Sequence, residues 1–181
     1  IEIPEQVIEW RVQTVNDFMN EDLRGRLTLF WMNHFVTEYE AYTHPPYMYQ
    51  YYNTVQTHAL GNIKEFVRAI GVSSTMLIYL NGFENTNFNP NENYAREFLE
   101  LFTILKGPQI GDGNYTNYTE IDVQQAARVF SGYKKQIDRT FIDVETLIPM
   151  GYLKFTQHDI GNKTFSAAFG GQEIKGGTDE V

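Results

Sequence analysis

Apolar side chains recur at intervals of three and four over most of the first 105 residues, and that period gives a helix one oily face. In residues 4–35 it appears twice, first in Val7, Ile8, Val12 and Val15, then in Leu23, Leu27, Phe30, Trp31, His34 and Phe35. Two helices follow, with Asn20 as the N-cap of the second because its side chain can accept from orphan N–H groups beside Glu21 and Asp22. Residues 39–52 are crowded with tyrosine and break at Pro45 and Pro46, after which Val55, Ala59, Ile63, Phe66, Val67 and Ile70 resume helical spacing up to Gly71. Ser73 or Ser74 caps a short helix through Leu80, and the Asn-rich loop 81–91 leads into residues 91–105, the strongest helix of the chain. The loop 106–118 ends at Thr119, which with Asp122 makes a capping-box start for a helix from 122 to about 133. Alternation in residues 140–144 and 151–156 then predicts strands.

The expected fold is mainly α. Helices near residues 5–36, 50–71, 74–80, 91–105 and 122–133 form a bundle, with a small antiparallel β excursion near residues 139–166. We expect residues 1–181 to be a single domain or a fragment of a larger one: a helical core over 1–135, the β excursion over 136–170, and a Gly-rich flexible tail over 171–181. A start without Met and that Gly-rich end point to processing or to a piece of a longer protein.

Composition narrows the function. With 42% hydrophobic and 20% charged residues the chain can bury a core. Its 14 Lys and Arg against 23 Asp and Glu give a net charge of −9, the wrong sign for neutralising phosphates, so no nucleic-acid partner is expected. With no cysteine, thiol catalysis, disulfides and thiolate metal sites are excluded. No apolar run approaches a membrane span. There is no phosphate-binding loop, dinucleotide fingerprint or haem signal, and none of Ser73, Ser74, Ser131 and Ser166 sits in a nucleophile elbow.

Several spaced segments carry a resemblance. They are residues 29–35 (LFWMNHF), 59–62 (ALGN), 76–81 (MLIYLN), 91–97 (NENYARE) and 99–103 (LELFT), then 118–120 (YTE), 122–123 (DV), 126–133 (AARVFSGY), His158-Asp159 and 163–165 (KTF). Over residues 23–177 the chain resembles the large bacterial family of domains of unknown function numbered 1800. That resemblance implies a longer parent protein with helical segments on both sides, an extracytoplasmic setting (periplasm, cell surface or secreted), and a sulfatase-like partner protein. Tyr133, where a Trp is usual, and the extended loop 107–117 depart from the pattern.

On a wheel of about 100° per residue, Tyr94, Phe98, Leu101, Phe102 and Leu105 share one face of the helix 91–105. Glu92, Asn93, Arg96, Glu97 and Glu100 share the other, bordered by Leu99 and Ile104. A narrow polar arc with apolar borders suits carboxylates directed into a cleft, where Arg96 would hold Glu92 and Glu100 ionised while Glu97 titrates separately. Such a set suits acid-base chemistry or a divalent cation. The same i, i+4 spacing is also that of simple helix-surface ion pairs. His158 and Asp159, at a strand end before a Gly-containing turn, are the other candidates, either as part of that cleft or as turn residues. His34, beside Asn33 on an apolar helix, completes the candidate set as a proton acceptor or an interior histidine.

Two functions remain open on the sequence. One is a catalytic or metal-assisted site built from Glu92, Arg96, Glu97, Glu100, His34, His158 and Asp159, acting on an extracellular substrate. The other is a non-catalytic export or surface-assembly protein, able to form homo-oligomers, whose motif residues are structural. Six tyrosines (Tyr39, Tyr42, Tyr47, Tyr49, Tyr51 and Tyr52) offer either core or aromatic faces for a sugar or a protein.

Overall fold

A computed structural model of the chain describes residues 4–135, 142, 144 and 150–177. The fold is mainly α, with short antiparallel two-stranded ladders and an isolated bridge between Thr86 and Asn89. The chain divides into two compact units, one of residues 1–79 with 136–150 and one of residues 80–135 with 151–181.

The first unit contains α1 (Glu5–Asn20), α2 (Asp22–His34), α3 (Tyr39–Tyr42), α4 (Pro45–His58), α5 (Ile63–Gly71) and α6 (Ser74–Tyr79). The two expected N-terminal helices are present, but Asn20 is not the cap, because its amide donates back to the Asn16 carbonyl at 2.8 Å. The chain turns instead through Asp22 at φ 45°. Gly25 then lies so near α1 that a Cβ there would stand 2.9 Å from the Asp17 carbonyl oxygen. The predicted helix 50–71 is two helices. α4 begins earlier, because proline has no N–H to lose and a preset φ in the first helical turn, and Pro45 and Pro46 occupy that turn. α5 restarts where the Asn62 side chain accepts from the Lys64 N–H at 2.8 Å.

Tyrosine supplies much of this core. Tyr42, Tyr47, Tyr51 and Tyr52 are buried with Val7, Met48, Val55, Phe66 and Ile70, whereas Tyr49 is exposed. Tyr52 meets Trp10 edge-on at 5.6 Å and donates to Asp17 at 2.8 Å, so this buried phenol brings both apolar area and a satisfied tip.

The second unit is organised around α7 (Glu92–Glu97) and α8 (Glu120–Val129). The predicted helix 91–105 is α-helical only to Glu97, and Phe98–Thr103 continues it as a π-helix. The Ile104 N–H accordingly reaches back five residues to the Leu99 carbonyl at 3.0 Å. The wider turn adds a residue and rotates everything after Phe98 relative to an ideal wheel. Leu99 is therefore buried with Tyr94, Phe98 and Phe102, while Leu101 and Leu105, expected inside, are exposed.

Ladders pair β1 (Gln109–Gly111) with β2 (Asn114–Tyr115), β3 (Tyr133–Lys134) with β4 (Tyr152–Leu153), and β5 (Lys163–Thr164) with β6 (Glu173–Ile174). The first is a hairpin within the expected loop 106–118. The last shows that residues 173–174 are a paired strand and not part of a free tail, because Lys163 and Thr164 supply a ladder. β4 falls on the expected strand 151–156, and the expected strand 140–144 lies outside the described residues except for positions 142 and 144.

Candidate functional site

The candidate residues of the second unit fall into two polar groups at opposite ends of α8. That helix has 10 residues, a length of about 15 Å at the α-helical rise.

The group at its N-terminus joins α7, the π-helical stretch and the first turn of α8. Arg96 grips Glu120 with two bonds, Nη1 to Oε2 at 3.0 Å and Nη2 to Oε1 at 2.5 Å. Glu100 accepts from the Tyr118 hydroxyl and from Lys106 Nζ, the latter at 2.9 Å. Lys106 also lies over the Tyr115 ring, 5.1 Å from its centroid. Hydrogen bonding to Glu120 pushes the Arg96 guanidinium further up, against the opposing pull of burial. Bonding to Glu100 likewise raises Lys106. Burial first, and the Glu100 bond second, push the Tyr118 phenol up. The expected i, i+4 pairs of Arg96 with Glu92 and Glu100 are not what forms, because the bidentate fork finds a better planar match across to α8. Glu92 and Glu97 sit half-buried on α7 outside this set of bonds.

The group at the C-terminal end of α8 holds His158 and Asp159. Arg128 donates from Nε to Asp159 Oδ2 at 2.7 Å and from Nη2 to Oδ1 at 3.1 Å. Asp159 also receives the Gly161 N–H at 2.8 Å, while its own N–H donates to Ser131 Oγ at 2.8 Å. The Arg128 bond holds the Asp159 carboxyl below the usual carboxylate range, against the opposing push of burial. Lys163, fully buried, donates from Nζ to the Asp159 carbonyl and stands 3.9 Å from Oδ1.

His158 is 2% exposed. Its Nδ1 lies 2.6 Å from the Ser131 carbonyl oxygen, which can only accept, so Nδ1 carries the hydrogen. Nε2 is buried as well. Gly132, at φ 82°, is what lets the chain pass, since a Cβ there would stand 2.8 Å from His158 N.

Between the groups, Asp122 fastens the first turn of α8. It accepts from the Thr119 N–H at 2.7 Å, as the capping-box reading required, and from the Ser166 N–H and hydroxyl at 2.7 and 2.6 Å. Burial pushes Asp122 up, but the bonds from Ser166 and Thr119 more than reverse it and leave the carboxyl low.

The expected joint cleft therefore does not form from these side chains: Glu100 and His158 belong to different ends of α8. His34 belongs to the first unit, where its ring packs edge-on against Trp31 and Phe35 at 5.7 and 4.7 Å. Two clefts of about 300 and 280 Å³ also open in the first unit, both bordered by Trp10 and Met48; Tyr49 lines the first and Tyr39, Tyr42 and Tyr51 line the second, whereas none of the acidic or histidine candidates lines either. Among the described residues no three His, Asp or Glu side chains converge as a metal-ligand set.

Residues that the helix wheel passed over turn out to be partners: Tyr118, Glu120, Arg128, Ser131 and Lys163. All five lie in the segments that carried the family resemblance, and the same segments supply their mates. A model of one family matches residues 2–181, and its members are described as proteins of unknown function (DUF1800). This chain belongs to that family. No curated protein and no solved structure matches it. At both ends of α8 this DUF1800 chain satisfies its carboxylates with cations, hydroxyls and backbone N–H groups.

Proposed function

We propose that this chain is a non-catalytic export or surface-assembly protein whose motif residues hold its fold together. The observation that carries this reading is the mutual satisfaction of those residues. Arg96 is spent on Glu120, Arg128 on Asp159, and the His158 ring is sealed against Ser131. A general base needs a lone pair that substrate can reach, and a 2% exposed imidazole offers none at its surface. The extracytoplasmic bacterial setting and the sulfatase-like partner implied by the family resemblance belong to the same proposal.

The test separates stability from function. Arg96→Ala, Arg128→Ala and His158→Ala are each expected to lower the melting temperature, and the yield of functional protein in the parent organism should fall in the same order. A variant of this set that melts like the wild type yet abolishes function would overturn the reading in favour of a catalytic site.

A further inference from the structure

The cleft of about 280 Å³ in the first unit draws on α1, the link between α2 and α3, α3 itself and α4. Its buried lining includes two tyrosines whose polar tips are spent. The Tyr51 hydroxyl donates to the Phe35 carbonyl, and the Tyr42 hydroxyl is bonded to Thr37. Burial pushes the Tyr42 phenol up to about 12 and raises Tyr51 as well. Both stay neutral, and what they have left for a ligand is ring surface. Tyr39 stands at 83° to Tyr42 with centroids 5.9 Å apart, and Trp10 packs against the same cluster, so the rings form a corner. The rim is charged. Arg11, next to Trp10, and Glu38 and Glu40, on either side of Tyr39, are exposed and line the same cleft. None of these three side chains makes a hydrogen bond or an ion pair among the described residues. The volume lies just below the range of about 300–1,000 Å³ of sites for drug-sized molecules, so the ligand that fits is small.

We propose that this cleft binds a betaine, a small zwitterion that joins a quaternary ammonium group to a carboxylate. Ring faces attract a cation through their quadrupole, Trp most strongly. A quaternary ammonium carries no N–H, so it asks nothing of hydroxyls that are already spent. Glu38 and Glu40 add negative potential on the Tyr39 side of the cleft. Arg11 would repel a bare cation, but its planar fork pairs with a carboxylate through two bonds, so the anionic end of the ligand turns towards α1. A saccharide needs partners for several hydroxyls, and the buried tyrosines have no hydroxyl left for it. The site goes beyond the assembly reading and does not depend on it, since no residue at either end of α8 lines the cleft.

Heteronuclear NMR of the isotope-labelled chain, titrated with glycine betaine, reads the site directly. The chain has two tryptophans. The indole signal of Trp10 should move and saturate, while that of Trp31, whose Nε1 donates to the Ala59 carbonyl at 3.2 Å, stays in place. Tyr39→Leu keeps an apolar side chain without the ring and is expected to weaken binding about tenfold. Arg11→Gln should weaken it about tenfold as well, through the lost bonds to a charged group, yet leave tetramethylammonium bound as well as before or better. Glu38→Gln combined with Glu40→Gln should weaken both ligands. Arg11, Glu38 and Glu40 are exposed, so these variants keep the fold even if Tyr39→Leu does not, and thermal melts confirm it. An unmoved Trp10 signal up to tens of millimolar glycine betaine would overturn the proposal, as would tighter binding of glucose or of glycine, or an affinity indifferent to Arg11→Gln. Each of these results leaves the melting and function of the α8 variants as a separate test of the assembly reading.

Discussion

Asp159 shows how much one carboxylate can hold. It closes a bidentate pair with Arg128, takes the Gly161 N–H, and sits beside the buried ammonium of Lys163. Replacing it with Asn removes the charge while two cations stay behind, and the expected loss is about 3 kcal/mol, the scale for breaking a buried pair from one side. The pH dependence has a definite sign. The folded carboxyl is held below its unfolded value, so its stabilisation is complete above about pH 4 and disappears as pH falls through the lowered folded value. Urea midpoints of wild type and Asp159→Asn should therefore lie far apart at neutral pH and converge in acid. A constant gap across that range would mean that the carboxylate charge contributes nothing. Sequence spacing singled out Asp159 and His158 as interesting, but Arg128 lies 31 residues from Asp159, a distance that no local pattern spans.

At the scale of elements, α8 is the strut to which both polar groups are tied, and its first turn is the most heavily bonded. The capping box was legible because Thr119 and Asp122 are three apart, so both halves lie within one turn of chain. The second use of Asp122, receiving the N–H and hydroxyl of Ser166 at 2.7 and 2.6 Å, comes from 44 residues away. Asp122→Ala strips both sets at once and leaves buried donors unsatisfied. A loss of about 3 kcal/mol is expected, against about 1 kcal/mol for loss of an N-cap alone, and denaturant unfolding distinguishes the two. The helix over residues 91–105 gives the opposite lesson. Its existence was legible from period, yet its face was not, because the wheel assumed an α-helical turn throughout. The π-helical stretch moved Leu99 inside and Leu101 outside.

For the whole molecule the governing quantity is a net charge of −9 on 181 residues. Like charges spread over one folded chain repel one another. Raising ionic strength screens the repulsion, so the urea midpoint of the chain should rise as sodium chloride is added. Urea unfolding at low and at physiological salt checks this, and a midpoint that falls with salt would mean that attractive ion pairs outweigh the net repulsion. No helix among the described residues is long and apolar enough to cross a membrane.

Helix content, the capping box, the family and the exclusion of thiol chemistry were determined by the sequence alone. Each depends on residue types, or on positions within a turn or two of one another, where backbone geometry fixes the spacing. Tertiary structure decided which residues became partners. Arg96 chose Glu120, 24 residues on, over two glutamates one turn away on its own helix, because a planar fork gains more from two aligned bonds than from proximity. It also decided that a polar arc read as one cleft is two separate clusters, since the length of α8 lies between Glu120 and Arg128, and that half of the apolar pattern of α1 stays outside.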